Sequence, residues 1–188
     1  MNNFSLKKLW HLVCESAAEL KNLRSLVGLS MCIALGICLD LLGSIQISPT
    51  LKLSLWFMAL AVTGMLYGPI GSSLAGLIID LTVFVLHPTG PFFPGFTLTS
   101  LLTGTIFGFF LYKNQFSLWR LIVSKTLINL LLNLLLNSLW LHLLYHQGFW
   151  IMIPGRILKN LALLPLEVFL LWLILPRVAA ITRRYARS

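Results

Sequence analysis

The stretch SLVGLSMCIALGICLDLLGS, residues 25–44, holds one acidic residue, Asp40, and no basic one. A helix of about 20 such residues crosses the hydrocarbon core of a bilayer. Comparable apolar runs follow at about 53 to 68, 71 to 87, 96 to 112, 119 to 145 and 156 to 177. The breaks between them fall at Pro49, Tyr67-Gly68-Pro69, His87-Pro88-Thr89-Gly90-Pro91, Lys113-Asn114-Gln115 and Pro154-Gly155. The pattern predicts an all-α membrane protein with six transmembrane helices. Six spans take roughly 120 of the 188 residues, which leaves tails and short loops and no room for a separate soluble catalytic domain. Composition points the same way: 58% of residues are apolar or aromatic, 10% are charged, and the mean hydropathy is +0.90. A soluble domain needs about 25% charged residues to cover its surface.

Ahead of the first span, Leu6, Leu9, Trp10, Val13, Ala17, Leu20 and Leu23 share one helical stripe, so residues 1–24 read as an amphipathic helix on the membrane surface. Residues 25–180 form the membrane domain, and 181–188 a basic tail. No cleavable signal peptide is expected, because the first apolar run starts only after Arg24 and has no A-x-A exit. The charge balance is 14 Lys and Arg against 5 Asp and Glu, formally +9. With the N-terminus inside, the inner set is Lys7, Lys8, Lys21, Arg24, Lys113, Arg120, Arg177, Arg183, Arg184 and Arg187, and the outer set is Lys52, Arg156 and Lys159. Basic residues are retained on the cytoplasmic side, so both termini are expected in the cytoplasm. Lys125 lies within the fifth span and is not counted. Dispersed over tails and loops, these charges do not form the folded basic face that nucleic acid requires. Cys14, Cys32 and Cys38 lack CxxC spacing and give neither a disulfide framework nor a zinc site, so no metal is expected. The absence of any Gly-Lys pair removes a Walker-type phosphate loop, and ATP-driven work is expected from other chains.

Chemistry is expected at the outer ends of the spans. The loop His87-Pro88-Thr89-Gly90-Pro91-Phe92-Phe93-Pro94-Gly95 carries no formal charge, is stiff, and is either a lid or a tight connection. Pro154 is expected to open the sixth helix, which puts Arg156, Lys159 and Asn160 on one face of its first turns. Such a turn binds a carboxylate or phosphate; alternatively the two cations snorkel to headgroups. Phe92, Phe93, Phe96, Trp140, Tyr145, Phe149 and Trp150 gather on the same side, as pocket walls or as interface anchors. Asp40, Asp80 and Glu167 are intramembrane acids, each expected to face the bundle interior and find a partner. Asp80 either accepts the amino and ring N–H groups of a heterocycle or pairs with a polar residue of a neighbouring helix. An aspartic protease dyad has no support in the flanking residues. On the first span Ser30 and Ala34 form a small-xxx-small face suited to close helix approach.

Several stretches in order carry a family resemblance: Glu15-Ser16-Ala17-Ala18-Glu19-Leu20-Lys21-Asn22, Ile45-Gln46-Ile47-Ser48-Pro49-Thr50-Leu51-Lys52, Met65-Leu66-Tyr67-Gly68-Pro69, Phe93-Pro94-Gly95-Phe96-Thr97-Leu98, Asn133 to Trp140, and Pro154-Gly155-Arg156-Ile157-Leu158-Lys159-Asn160. Over nearly its whole length the chain resembles the folate-specific substrate-binding (S) components of energy-coupling factor vitamin transporters. The resemblance implies a non-enzymatic, multi-pass subunit of a bacterial cytoplasmic membrane that takes folate from outside. Its implied partners are a transmembrane coupling (T) component and two ATPases; folate is transported ligand rather than cofactor. The family docks through an AxxxA face, matched here by Ser30 and Ala34. Its outer pocket falls on Asp80, Phe92, Phe93, Phe96, Thr97, Asn137, Trp140, Arg156, Lys159 and Asn160. An S component for another carboxylated vitamin, such as pantothenate, fits the same features, and a six-helix membrane scaffold without a ligand is the alternative of another class. An intramembrane enzyme is the weakest reading.

Overall fold

The computed structural model describes residues 6–48, 51–88, 90–113, 117–145 and 149–185. The chain divides into two compact units, Met1–Asn114 and Gln115–Ser188.

The first unit starts with α1 (Leu6–Glu19) and α2 (Leu23–Leu42). Asn22 caps α2, its side chain accepting from the Arg24 N–H at 3.2 Å and so satisfying one of the free donors of the first turn. A short antiparallel hairpin follows, β1 (Ile45–Ser48) and β2 (Leu51–Leu53), irregular between Gln46 and Ser48. The hairpin is a short extended connection in an otherwise helical fold, and the next helix starts at Trp56 rather than near residue 53.

That helix, α3 (Trp56–Leu86), is continuous by its hydrogen bonds except at Gly68, where φ is 75° and ψ −170°. This backbone region is open essentially to glycine alone. The two halves are not collinear. A Cβ placed on Gly36 of α2 would stand 2.5 Å from Ile79 Cδ1 and 3.2 Å from Ala59 Cβ, although a straight helix would hold Ala59 and Ile79 about 30 Å apart. The chain therefore doubles back at Gly68. Among the described residues five helices are long and apolar enough to cross a membrane, and the reversal inside α3 divides one of them where the sequence reading puts the boundary between its second and third spans. The first half, 56–67, covers about 18 Å, less than the ~30 Å hydrocarbon core. α4 (Pro94–Leu111) packs antiparallel to the second half. Ser72 Oγ donates to the Gly104 carbonyl at 2.6 Å, and Thr105 Oγ1 to Ser73 Oγ at 3.2 Å. A side chain at Gly104 would collide with the Ser72 carbonyl, so this backbone approach requires glycine.

α1 closes the reversal from below. Ser16, fully buried, donates to the Tyr67 carbonyl at 2.6 Å and accepts from the Ile70 N–H at 3.1 Å. One hydroxyl thus serves both backbone groups left on either side of Gly68. Buried Tyr112, just beyond α4, donates from its hydroxyl to Glu19 Oε1 at 2.7 Å, and Lys113 Nζ lies 3.3 Å from Glu15. The face α1 turns to the bundle includes this polar edge, while Trp10 of its apolar stripe stays 71% exposed.

The second unit is a pair of long helices. α5 (Leu118–Leu127) passes into a π-helical segment (Ile128–Leu136) and then α6 (Asn137–Tyr145), which together fill the span expected at 119 to 145. α7 (Phe149–Tyr185) carries Pro154, Pro165 and Pro176 inside it. The expected break at Pro154-Gly155 is absent: the helix opens at Phe149, and Pro154 lies beyond its first turn. Proline there removes one intrahelical bond, a loss that long transmembrane helices tolerate.

Candidate functional site

In the first unit, Asp80 on α3 faces the first turns of α4, since Pro94 starts that helix and brings Thr97 and Ser100 round on the same face three residues apart. Thr97 Oγ1 donates to Asp80 Oδ2 at 2.7 Å and Ser100 Oγ to Oδ1 at 3.1 Å. The carboxylate thus has the neighbouring-helix partners that one reading of Asp80 required. Aromatic rings lie at the same end of the unit. Phe93 and Phe96 meet edge to face with centroids 6.0 Å apart, and Phe84 and Phe92 tilt together at 5.1 Å. Phe92 is half exposed. Near the end of α2, Asp40 takes the hydroxyl of Ser54 in a short hydrogen bond.

The second unit holds a polar seam between two apolar helices. Lys125, Asn129, Asn133 and Asn137 follow at four-residue spacing and stack along one face. Lys125, 2% exposed, places Nζ 3.3 Å from Glu167 Oε2, and Asn129 Nδ2 donates to the same oxygen at 2.9 Å. Asn133 Nδ2 donates to Asn129 Oδ1 at 3.0 Å, and Asn137 Nδ2 to Asn133 Oδ1 at 3.4 Å. α7 also reaches backbone oxygens of the π-helical segment: Arg156 Nη1 donates to the Asn133 carbonyl at 3.3 Å and Asn160 Nδ2 to the Asn129 carbonyl at 3.4 Å. A π turn redirects carbonyls that an α-helix would use internally, and such segments cluster at functional sites. Among the described residues, Asn137 Oδ1, Ser138 Oγ and Arg156 Nε are buried atoms without a hydrogen-bond partner.

Asn137, Arg156 and Asn160 therefore belong to one seam, as do Lys125 and Glu167. Lys159 follows on α7, half-buried, and Trp140 on α6 is half-buried as well. Since α7 begins at Phe149, Arg156, Lys159 and Asn160 do not stand on its first turns, and the anion-attracting charge of a helix N-terminus falls off before reaching them. What remains is the guanidinium, the ammonium and the amide themselves. The side chains of Tyr145, Phe149 and Trp150 lie outside the described residues, as does Thr89. The sequence reading missed Asn129, Asn133 and Ser100. The four-residue recurrence of Lys125, Asn129, Asn133 and Asn137 in an otherwise apolar span was the signal that could have found the first two. Among the described residues there is no group of three or more His, Cys, Asp or Glu able to hold a metal ion.

A family model described as "ECF transporter, substrate-specific component" matches residues 24–175. A folate transporter FolT of Clostridium novyi (strain NT) is 26% identical over 153 residues, covering 81% of this chain and 88% of its own. A folate transporter FolT of Leuconostoc mesenteroides is 32% identical over 124 residues, covering 63% of this chain and 67% of its own. A solved structure described as FolT bound with folic acid aligns with a TM-score of 0.73 at 28% identity, covering 80% of this chain and 92% of that one.

Proposed function

The chain belongs to the substrate-specific components of ECF transporters, and on that premise we propose that it captures folate at the outer face of a bacterial cytoplasmic membrane for ATP-driven uptake. The observation that carries this reading is the likeness over 80% of the chain to a structure holding folic acid. Two relatives named as folate transporters support it. The chain itself contributes binding, and a T component with two ATPases contributes the energy. Six passes and the ten-to-three division of basic residues support both termini in the cytoplasm.

Folate has a flat pterin, an aromatic middle and a glutamate tail. In the first unit, Asp80 with Thr97 offers acceptors to the amino and ring N–H groups of a heterocycle, and Phe92, Phe93 and Phe96 offer ring faces and edges. In the second, Arg156 and Lys159 suit a carboxylate, with Asn137, Trp140 and Asn160 beside them. On α2, Ser30 and Ala34 are both exposed and serve as the docking face for the T component. The second reading, a pantothenate carrier, rests on the same cations, because pantothenate is also a carboxylate.

Titration of detergent-purified protein with folate, followed by quenching of its six tryptophans, tests the proposal against pantothenate, thiamine and riboflavin. Saturable one-to-one binding of folate alone is the expected result. Binding of pantothenate alone would move the assignment to the second reading, and a folded protein that binds none of the four would remove the vitamin reading.

A further inference from the structure

The side-chain hydrogen bonds that link Asn137, Asn133, Asn129 and Glu167 all run in one sense. Glu167 Oε2 receives two donors, Lys125 Nζ and Asn129 Nδ2. An oxygen that takes two donors fixes the carboxamide of Asn129, which must turn its NH2 toward Glu167 and its oxygen away. That oxygen receives Asn133 Nδ2, and Asn133 Oδ1 in turn receives Asn137 Nδ2. An amide has one donor end and one acceptor end, so the orientation set at Glu167 is handed from residue to residue. It leaves the last carboxamide with its oxygen facing out of the chain. Asn137 Oδ1 is buried, and among the described residues it has no donor. An enclosed acceptor left without a partner costs about 1–3 kcal/mol, a cost that a ligand donor would relieve.

We infer that Glu167, anchored by Lys125, orients Asn137 through Asn129 and Asn133, so that Asn137 presents a carbonyl oxygen that selects a ligand N–H donor. Glu167, Asn129 and Asn133 are positioning residues, and Asn137 is the contact. The inference rests on the folate-binding proposal and adds the polarity of one contact. Reversed, the same chain would present an NH2 group and select an acceptor. The four-residue spacing alone does not choose between the two; the glutamate at its head does.

A mutant cycle read by folate titration tests this. Asn137→Leu and Asn133→Leu each lower folate affinity about tenfold, the worth of one hydrogen bond. The pair together loses no more than Asn137→Leu alone, because both remove the same contact. Asn137→Asp, whose two oxygens both accept, makes affinity indifferent to Asn133→Leu, a rescue that a merely structural role for Asn133 would not produce. The neutral pair Lys125→Gln/Glu167→Gln behaves like Asn133→Leu; if that pair does not fold, as judged by thermal unfolding without ligand, the Asn133 and Asn137 variants decide alone. Independent, multiplicative losses of about a hundredfold, or wild-type affinity in Asn133→Leu, overturn the relay. Failure of the wild-type protein to bind folate overturns the functional proposal instead, so the two failures are distinguishable.

Discussion

A carboxylate at membrane depth persists only where donors surround it, and Asp40, Asp80 and Glu167 meet that condition with different partners. Asp80 accepts from the hydroxyls of Thr97 and Ser100 on the neighbouring helix. Glu167 is held by an ammonium and an amide, and removing the ammonium leaves an uncompensated buried charge. Lys125→Met is therefore expected to destabilise the protein by about 3–5 kcal/mol. Adding Glu167→Gln recovers part of that loss; a thermal unfolding series of the three proteins checks it, and an unchanged midpoint in the single variant would show that the pair carries no such weight. Arg156 differs again, since its described hydrogen bond is one from Nη1 to a backbone oxygen while Nε is left without a partner. That buried Nε is a donor suited to an anion. Arg156→Ala is expected to weaken folate binding at least tenfold, about the loss of one charge-assisted hydrogen bond, with little change in the unfolding midpoint. Titration at wild-type affinity would take Arg156 out of the site.

At the scale of elements, the reversal inside α3 is the feature that separates the second and third spans expected from the sequence. Gly68→Ala forces a side chain into a backbone region that costs about 1–3 kcal/mol, and its Cβ would stand 2.8 Å from Ser16 Oγ. Thermal unfolding should show that loss, and Ser16→Ala should show a smaller one of about 1 kcal/mol together with faster proteolysis within α1. The second support of α1 is sensitive to alkali. Burial first, and then the hydrogen bond to Glu19, raise the Tyr112 phenol above its ordinary value. Its stabilising contribution is fully present below the unfolded phenol's pKa of about 10 and is lost as pH rises through the higher folded value. Stability against pH should therefore fall more steeply in strong alkali in the wild type than in Tyr112→Phe, and parallel curves would remove Tyr112 from that role. Much of this element plan was legible: hydropathy found the spans, and Tyr67-Gly68-Pro69 marked the reversal. The β1–β2 hairpin was not, because residues 45–53 read as a connection around Pro49. Nor was the start of α7, because Pro154 is as compatible with the interior of a long membrane helix as with its first turn. The π-helical segment escaped because Asn129, Asn133 and Asn137 recur at the spacing of an ordinary α-helix.

For the whole molecule, single residues of the candidate site were legible but their connections were not. Asp80, Asn137, Arg156 and Asn160 stand out as polar residues in apolar spans, whereas the pairing of Lys125 with Glu167 joins two helices and has no linear signature. The proposed docking face is of a different kind, since it depends only on small side chains along one stripe. In the structure Ser30 and Ala34 lie exposed on α2, flanked by Val27, Met31 and Leu35, each more than half exposed. Ser30 Oγ folds back onto the Leu26 carbonyl at 2.9 Å, so its polarity is spent within the helix and the stripe is in effect small and apolar. A partner helix can approach such a stripe closely, and packing at that distance replaces the hydrophobic drive that lipid does not supply. Ala34→Trp fills the groove without touching the residues assigned to folate. Folate affinity of the purified protein should then equal that of the wild type, while uptake in cells carrying the T component and ATPases should cease. Under the proposed function binding needs only this chain and uptake needs the assembly, so the two measurements separate the site from the docking face. Normal uptake by Ala34→Trp would send the search for the coupling surface to another helix, and lost binding would mean that α2 supports the site directly.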